Sequence, residues 1–525
     1  MKRHEINQLP DDPELLKQLI LSQNEQLQKQ QSRINVLEEV IKLFNWKRFG
    51  KSSEKSADQV ELFDEAETEV SADAPDTAES LETAHSEETS SDTASKPKAK
   101  PGPKSFPPDL PRNDIIHDLP EHEKTCDCGC QKVEIGEEIS EDLEIIPAKL
   151  VVNRHRRKKY ACKACEGKIA VAPTPEKLLP KSNASAGLLA HLIVAKYQDG
   201  LPLYRMETIF ERMGIHLPRN TVANWMIQCG GKLQPLYNLM NDRLLDSGYL
   251  HMDETTVQVL KEPDKKAESK SYMWVRKTGD PERPIILFDY APSRSGSVVE
   301  SLLPGYQGYL QTDDYAGYHK TGDQDGITHL GCMAHARRKF VEAQKVTKNK
   351  SGKSGKADIA INMIKKLYQI ERQVKDKSPE ARYQIRKEKS LPQLKKLKEW
   401  LDKSLQQTLP KGKLGEALAY LSKNWTKLTR YTEDGRLNID NNPVENAIRP
   451  FAIGRKNWLF SNSPSGAKAS AMMYSIIETA KANELEPYAY LRTVFTRIPT
   501  CQTVEDFEQL LPWNVKLEPV PEINA

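Results

Sequence analysis

The run Tyr249-Leu-His-Met-Asp253-Glu-Thr-Thr-Val-Gln-Val259 decides how this chain reads, because it opens a region whose periodicity differs from everything before it. It is rich in β-formers, as are Ser271 to Lys277 and Pro284 to Tyr290, and turn-forming breaks separate the three. They predict three consecutive antiparallel strands. A short helix near Ser297 to Leu303 leads to a fourth strand, Tyr309 to Thr312. A fifth, Gly326 to Gly331, precedes a helix from Ala334. Three strands, helix, strand, helix, strand, helix is the order of a ribonuclease-H-like α/β core. Further on, Asn442 as N-cap and Pro443 at the first helical position mark another helix start.

Three carboxylates fall where that topology would gather them. Asp253 lies within the first strand, Asp313 or Asp314 at the end of the fourth, and Glu445 in the first turn of the late helix. Hard oxygen ligands of this kind bind magnesium or manganese, which take their remaining ligands from water and phosphate. A pair of such ions suits in-line phosphoryl displacement. One acid alone says nothing, since most are solvated surface groups. The ordered triple is the signal.

Outward from the core, 525 residues imply several domains. The net charge of +3 conceals a strong polarity along the chain. Between Glu54 and Ser95 stand 14 acidic residues against the one base Lys55, and between Lys339 and Arg430 stand 24 Lys and Arg against 9 Asp and Glu. The acidic stretch, with Phe63 as its one aromatic, reads as a disordered linker that the Pro and Lys run Lys96 to Pro111 continues. The basic stretch reads either as a polyanion-facing surface or as a solvated lysine-rich helical face.

Near the N-terminus Ile20, Leu27, Ile34 and Ile41 recur every seven residues, with Leu16, Gln23, Gln30, Leu37 and Phe44 interleaved. This is a coiled-coil seam, expected to pair chains into a homodimer or higher oligomer unless it docks on its own protein. Five of the eight cysteines fall between Cys126 and Cys165, too clustered for a disulfide scaffold and suited to structural zinc. Cys126, Cys128, Cys162 and Cys165 are the expected ligands, with Cys130 a substitute in the first pair. Short alternating runs, Leu143 to Ile146 and Leu150 to Asn153, look like hairpin strands of a zinc ribbon. Between 185 and 245 the pattern is helical, and Leu203 to Met213, Gly214, then Asn220 to Gln228 has helix-turn-helix lengths, which are also those of an ordinary packing unit. No run approaches a membrane span and no secretory signal is visible, so a cytoplasmic location and no membrane partner are expected.

Several further motifs carry a resemblance. His251-Met-Asp253-Glu-Thr255, Gln311-Thr-Asp313-Asp-Tyr315, Gly331-Cys-Met-Ala-His335-Ala-Arg-Arg-Lys-Phe340, Asp440-Asn-Asn-Pro-Val-Glu445-Asn-Ala-Ile-Arg449-Pro and Gly454-Arg-Lys-Asn-Trp458 closely resemble motifs of the bacterial insertion sequence 66 transposases. Arg48-Phe-Gly-Lys-Ser-Ser-Glu54, the cysteine cluster, and Leu485-Glu-Pro-Tyr-Ala-Tyr-Leu491 with Leu511-Pro-Trp-Asn514 extend the similarity over nearly the whole chain apart from the acidic linker.

The resemblance implies a DDE transposase that binds the terminal inverted repeats of its element, cuts, and joins the ends to target DNA. Asp253, Asp313 and Glu445 are then the catalytic magnesium ligands. Asp314 stands where the family usually has Gly, which leaves the choice between the neighbouring aspartates open. Cys332, His335 and Arg449 would support the active site. Candidate DNA contacts are Arg154, Arg156, Arg157, Lys158 and Lys159, Arg219 and Asn220, Arg337 and Arg338, and Arg455 and Lys456. Accessory proteins of the same element are implied as possible partners, with association to the nucleoid when DNA is bound.

The expected domains are a coiled coil over 1–50, a linker over 51–111, a zinc-binding domain over 112–180 and a helical DNA-binding domain over 181–247. The catalytic core then covers 248–480 with a helical insertion at about 341–437, and a C-terminal element covers 481–525. Two competing readings are a transposase-derived DNA-binding protein that does not cut, and a ribonuclease or repair nuclease on the same core.

Overall fold

The structure is a computed structural model that describes residues 176–279, 281–347 and 355–517, the stretches 150–160 and 170–171, and scattered helical positions between 12 and 34. The acidic linker, the zinc ligands expected at Cys126, Cys128, Cys162 and Cys165, their substitute Cys130, the side chain of Lys159 and most of the heptad seam lie outside these residues. Thr68–His155 separates as one compact unit, and the architecture below belongs to the other, which contains Arg156–Ala525.

Strand β1 (Lys159–Tyr160) pairs antiparallel with β2 (Ala170–Val171). Leu150–Lys158 is exposed and has no regular structure, which corrects the strand expected at Leu150 to Asn153. Apolar residues alternate there too briefly to bury a face.

Four helices follow: α1 (Ala186–Tyr197), α2 (Leu203–Arg212), α3 (Arg219–Lys232) and α4 (Gln234–Leu245). Ser185 caps α1 by accepting from Leu188 N at 3.1 Å, the usual way to satisfy a first-turn amide. Gly214, at φ +81, turns the chain between α2 and α3. Helices of the expected helix-turn-helix lengths are therefore present. The buried face of α3, Val222, Trp225, Met226 and Cys229, belongs to the main core.

The sheet holds β3 (Tyr249–Gln258), β4 (Lys270–Thr278), β5 (Ile286–Ala291), β6 (Gly308–Gln311) and β7 (Ile327–Leu330) in the order β5-β4-β3-β6-β7. The first three strands run antiparallel, whereas β6 and β7 add in parallel beside β3. Parallel neighbours need crossovers, which α5 (Gly296–Leu302) supplies before β6 and a short helical turn, His319–Gly322, before β7.

Two apolar cores form. One gathers Leu250, Met252 and Leu310 with α1, α3 and α11 (Pro464–Ala482). The other gathers Tyr249 and Leu330 with α6 (Met333–Thr347) and the insertion helices α7 (Lys356–Val374), α8 (Leu391–Gln406) and α9 (Lys413–Lys423). Tyr249 and Leu250 sit in different cores because successive strand residues point to opposite faces. Between 341 and 437, α7, α8 and α9 are helical, whereas 433–437 has no helix.

The edge strand β5 is closed by side chains. Ser475 Oγ accepts from Phe288 N at 2.8 Å, and Thr479 Oγ1 accepts from Ile286 N at 3.0 Å and donates to Ile286 O at 2.9 Å. Hydroxyls of α11 so satisfy groups that an open edge would present to another chain. Helix α10 (Asn442–Trp458) carries Glu445 in its first turn. Its N-cap is Asn441, not Asn442 as the sequence suggests, and Pro443 falls one place further in. The reason is that the Asn441 side chain is engaged by the sheet. Among the described residues, no helix is long and apolar enough to cross a membrane.

Gly308 starts β6 at φ +135, and a Cβ there would stand 2.3 Å from Gly248 O, the acceptor for Tyr309 N. Gly308→Ala should therefore cost about 1–3 kcal/mol of stability, read as a lower denaturation midpoint at unchanged slope.

Candidate active site

Asp253 and Asp313 are brought together by strand register. In the parallel pair β3 and β6, Tyr249 faces Tyr309, Leu250 faces Leu310 and His251 faces Gln311. Asp253 lies two residues beyond that last pair, still within β3, and Asp313 two residues past the end of β6, and Asp313 is near enough to act on the Asp253 charge.

The chain that leads into α10 is stitched across this same row. Asn438 N donates to the Tyr249 hydroxyl at 2.9 Å, and Gln311 Nε2 donates to Asn438 O at 3.0 Å. His251 is fully buried, with Nδ1 at 3.0 Å from Asn441 Oδ1 and Nε2 at 3.2 Å from Asn438 Nδ2. Asn441 Nδ2 donates to Met252 O at 3.1 Å, so its Oδ1 must be the atom turned to the imidazole. Those partners assign the proton to Nδ1 and leave Nε2 to accept. Burial pushes the imidazole pKa down to about 3, outweighing the Asn441 hydrogen bond, so the ring is neutral.

Glu445 follows one turn after Asn441. Its Oε1 lies 3.7 Å from His335 Nδ1, and donor atoms of Cys332, His335 and Glu445 all fall within 4.8 Å of one another. The Cys332 sulfur accepts from Asn441 N at 3.2 Å, and Met333 N donates to Ile439 O at 3.1 Å, which ties α6 to the same connection. Cys332 and His335 therefore share one face at the start of α6, as i and i+3 residues do. Burial, then Glu445 and Asp440, raise the Cys332 thiol well above its ordinary range.

The two neighbouring aspartates differ in their surroundings. Asp314 lies 3.1 Å from Lys423 Nζ and 3.2 Å from His319 Nε2. Burial raises its pKa, but hydrogen bonds from Asn424, Lys423 and His319 outweigh that and leave it below the usual value. Asp313 accepts from Tyr315 N at 2.9 Å and lies close enough to Asp253 to act on its charge. Burial first, then Glu254 and Asp313, raise the Asp253 carboxyl well above the ordinary range. Two hard oxygen donors that repel each other fit a divalent cation, whose charge would relieve the repulsion.

Sequence reasoning assigned no role to Glu254 or Arg294. The Glu254 side chain is 1% exposed, and its Oε1 takes Arg294 Nε at 2.6 Å and Nη2 at 2.5 Å. The Tyr318 hydroxyl donates to its other oxygen. Glu254 stands inside the quoted His251 to Thr255 motif and was legible there, whereas nothing in the sequence marks Arg294.

The other expected positions are more scattered. Arg449 donates to Asn446 Oδ1 at 2.8 Å and lines, with Asn457 and Lys481, a cleft of about 310 Å³. Arg455 turns inward, with Nη1 2.9 Å from Thr256 Oγ1, and fastens α10 to β3. It is thereby removed from the DNA-facing set, while Lys456 beside it is exposed. Arg154, Arg156, Arg157, Lys158, Arg219 and Asn220 are exposed, and Arg337 and Arg338 half-buried.

Comparison with known proteins agrees with the motifs. The family model described as Transposase IS66 family matches residues 181–469, the IS66 C-terminal element 475–513, the zinc-finger binding domain of transposase IS66 123–166, and Transposase C of IS166 homeodomain 36–115. Similar proteins include two from Sinorhizobium fredii, both named only as uncharacterized. The protein y4qI is 35% identical over 435 residues, covering 80% of this chain and 79% of that one. The protein y4jD is 34% identical over 427 residues, covering 79% and 82%. No solved structure matches the chain significantly.

A raised Asp253 pKa sets the sign of a pH effect. The unfolded chain releases this proton first, so stability is lost as pH climbs from the unfolded pKa toward the folded one. Asp253→Asn should therefore melt higher than the wild type at neutral pH when divalent metal is chelated. The gap should close toward pH 4. Calorimetry in chelator at both pH values tests it, and a variant melting lower at pH 7 would refute the destabilising charge on a buried Asp253.

Proposed function

Because this chain belongs to the IS66 transposase family, we propose that it binds the terminal inverted repeats of an insertion sequence and cuts and joins DNA with Asp253, Asp313 and Glu445. The observation that carries this reading is the repelling pair of Asp253, within β3, and Asp313, just past the end of the parallel β6, beside the connection that delivers Glu445. The sheet order β5-β4-β3-β6-β7, antiparallel then parallel, supports reading the core as ribonuclease-H-like.

Magnesium or manganese would be held by Asp253 and Asp313 with Glu445 as the third carboxylate, and when bound would neutralise phosphate charge and acidify the attacking hydroxyl. The chain's own residues prepare that site. Neutral His251 holds Asn441, and Asn441 fixes the start of α10, so Glu445 is presented from a rigid turn. His335 and Cys332 pack against the same carboxylate. Asp314, held by Lys423 and His319, serves to anchor the β6 loop rather than to bind metal.

DNA contact is proposed for the exposed Arg154, Arg156, Arg157 and Lys158 and for Lys159 that follows them, for Arg219 and Asn220 at the start of α3, and for Arg337, Arg338 and Lys456 near the core. The lysine-rich insertion would add a sequence-independent attraction that weakens with salt. A paired assembly through the N-terminal heptads would hold two element ends together.

Asp313→Asn should abolish strand cleavage of an inverted-repeat duplex in magnesium while leaving the mobility shift intact, and Asp314→Asn should retain cleavage. The reverse pattern would exchange the two roles. Joined products from the wild type support a transposase, hydrolysis alone would mean a nuclease, and a shift alone a binding protein. Zinc is testable separately. The full chain should hold one zinc by elemental analysis, and the Cys162→Ser, Cys165→Ser double variant should lose it, because thiolate ligands supply most of the affinity of such a site.

A further inference from the structure

We infer that Arg294, clamped by the buried Glu254 and stacked on Tyr315, is the protein's own contact to a non-bridging oxygen of the phosphate being cut. The inference rests on the functional reading above and adds to it a residue that reading does not use.

Glu254 follows Asp253 and, as the next residue of a strand, points to the other face of the sheet. A carboxylate 1% exposed inside a core costs free energy unless it is fully paired, and here both oxygens are. Oε1 takes two nitrogens of Arg294, and Oε2 takes the Tyr318 hydroxyl. Tyr318 is itself buried and packed edge-on against Trp274, which lies opposite Glu254 on β4. The clamp is therefore rigid on the Glu254 side.

The Arg294 side chain is not sealed by this. It stays 40% exposed, with its guanidinium carbon 3.7 Å from the centre of the Tyr315 ring. The Tyr315 hydroxyl donates back to Arg294 O at 2.6 Å, and Tyr315 N donates to Asp313 Oδ1 at 2.9 Å. One aromatic residue so links the arginine to the second carboxylate of the site. The guanidinium also acts electrostatically on both Asp253 and Asp313.

A planar cation, fixed on two nitrogens and partly open at the rim of a carboxylate pair, has the chemistry for phosphate. In the displacement an oxygen of water or of a 3′ hydroxyl forms a new P–O bond as the P–O3′ bond breaks. The nucleophile's proton passes to solvent and the departing O3′ takes one up. The phosphate gains negative charge midway, and a preoriented guanidinium stabilises that charge without having to reorganise. A purely structural ion pair would account for the Glu254 contacts equally well, and the experiment separates the two.

Arg294→Gln and Arg294→Lys would be made in the full chain and assayed as folded protein below the melting temperature of each variant, since either change weakens the pairing of the buried Glu254. Single-turnover cleavage of an end duplex in magnesium should fall about a hundredfold in Arg294→Gln, with duplex affinity changed less than about threefold. Arg294→Lys, which keeps the charge and loses the fork, should lie between. The decisive readout uses stereopure methylphosphonates at the scissile position. For one diastereomer the rate penalty seen with the wild type should largely vanish in Arg294→Gln, because the partner is already gone. Equal penalties in both proteins for both diastereomers would overturn the inference and leave Arg294 a structural residue. A wild type that binds the duplex and never cleaves it would instead overturn the functional reading, and this inference with it.

Discussion

The loop Asn438 to Asn441 is the joint on which the site depends. Ile439 joins the insertion-side core, while the backbone and side chain of Asn438 and the side chain of Asn441 are answered from the sheet by Tyr249, His251 and Gln311 and by Met252 O. Buried polar groups left unanswered cost about 1–3 kcal/mol each, so the loop docks in one register or not at all. That register decides where α10 begins and therefore where Glu445 stands. The two cores on either side of the sheet supply cohesion, and the hydrogen bonds add the register of the loop.

The same economy explains why His251 is neutral. A protonated ring would present two donors, and Asn438 Nδ2 at 3.2 Å from Nε2 would lose its acceptor. Burial without a facing carboxylate keeps the proton off. The site thus combines one neutral ring that must not charge with an acid, Asp253, whose carboxyl is raised by burial and then by the neighbouring Glu254 and Asp313. Both arise from one desolvated sheet face, and only the acid gains from a divalent cation.

Much of this was legible in the sequence. The β-rich runs between Tyr249 and Tyr290 became β3, β4 and β5 with ends shifted by a few residues, because strands of that kind are set by local propensity and turn-forming breaks. The start of α10 was misread by one residue because Asn441 looks like a loop residue until its side chain is seen to bond Met252 O. Arg455 looked like a phosphate contact because charge alone does not report direction, and Thr255 and Thr256 claim it. Arg294 was invisible, since a lone arginine in a Ser-rich turn acquires meaning only from a glutamate 40 residues earlier in the chain.

The stitching between His251 and Asn441 spans 190 residues, and that distance orders events in time. At a synthesis rate of 5–20 residues per second, roughly 10 to 40 s separate the emergence of the two partners. During that interval β3 can pair with β4 and β6, and Asp253 can meet Asp313, while the third carboxylate has not been made. The insertion helices must then fold before the loop reaches the sheet. A ribosome-bound fragment would thus carry Asp253 and Asp313 without Glu445, and premature termination before that residue would release a sheet whose buried row of Tyr249, His251 and Gln311 has no loop to answer it.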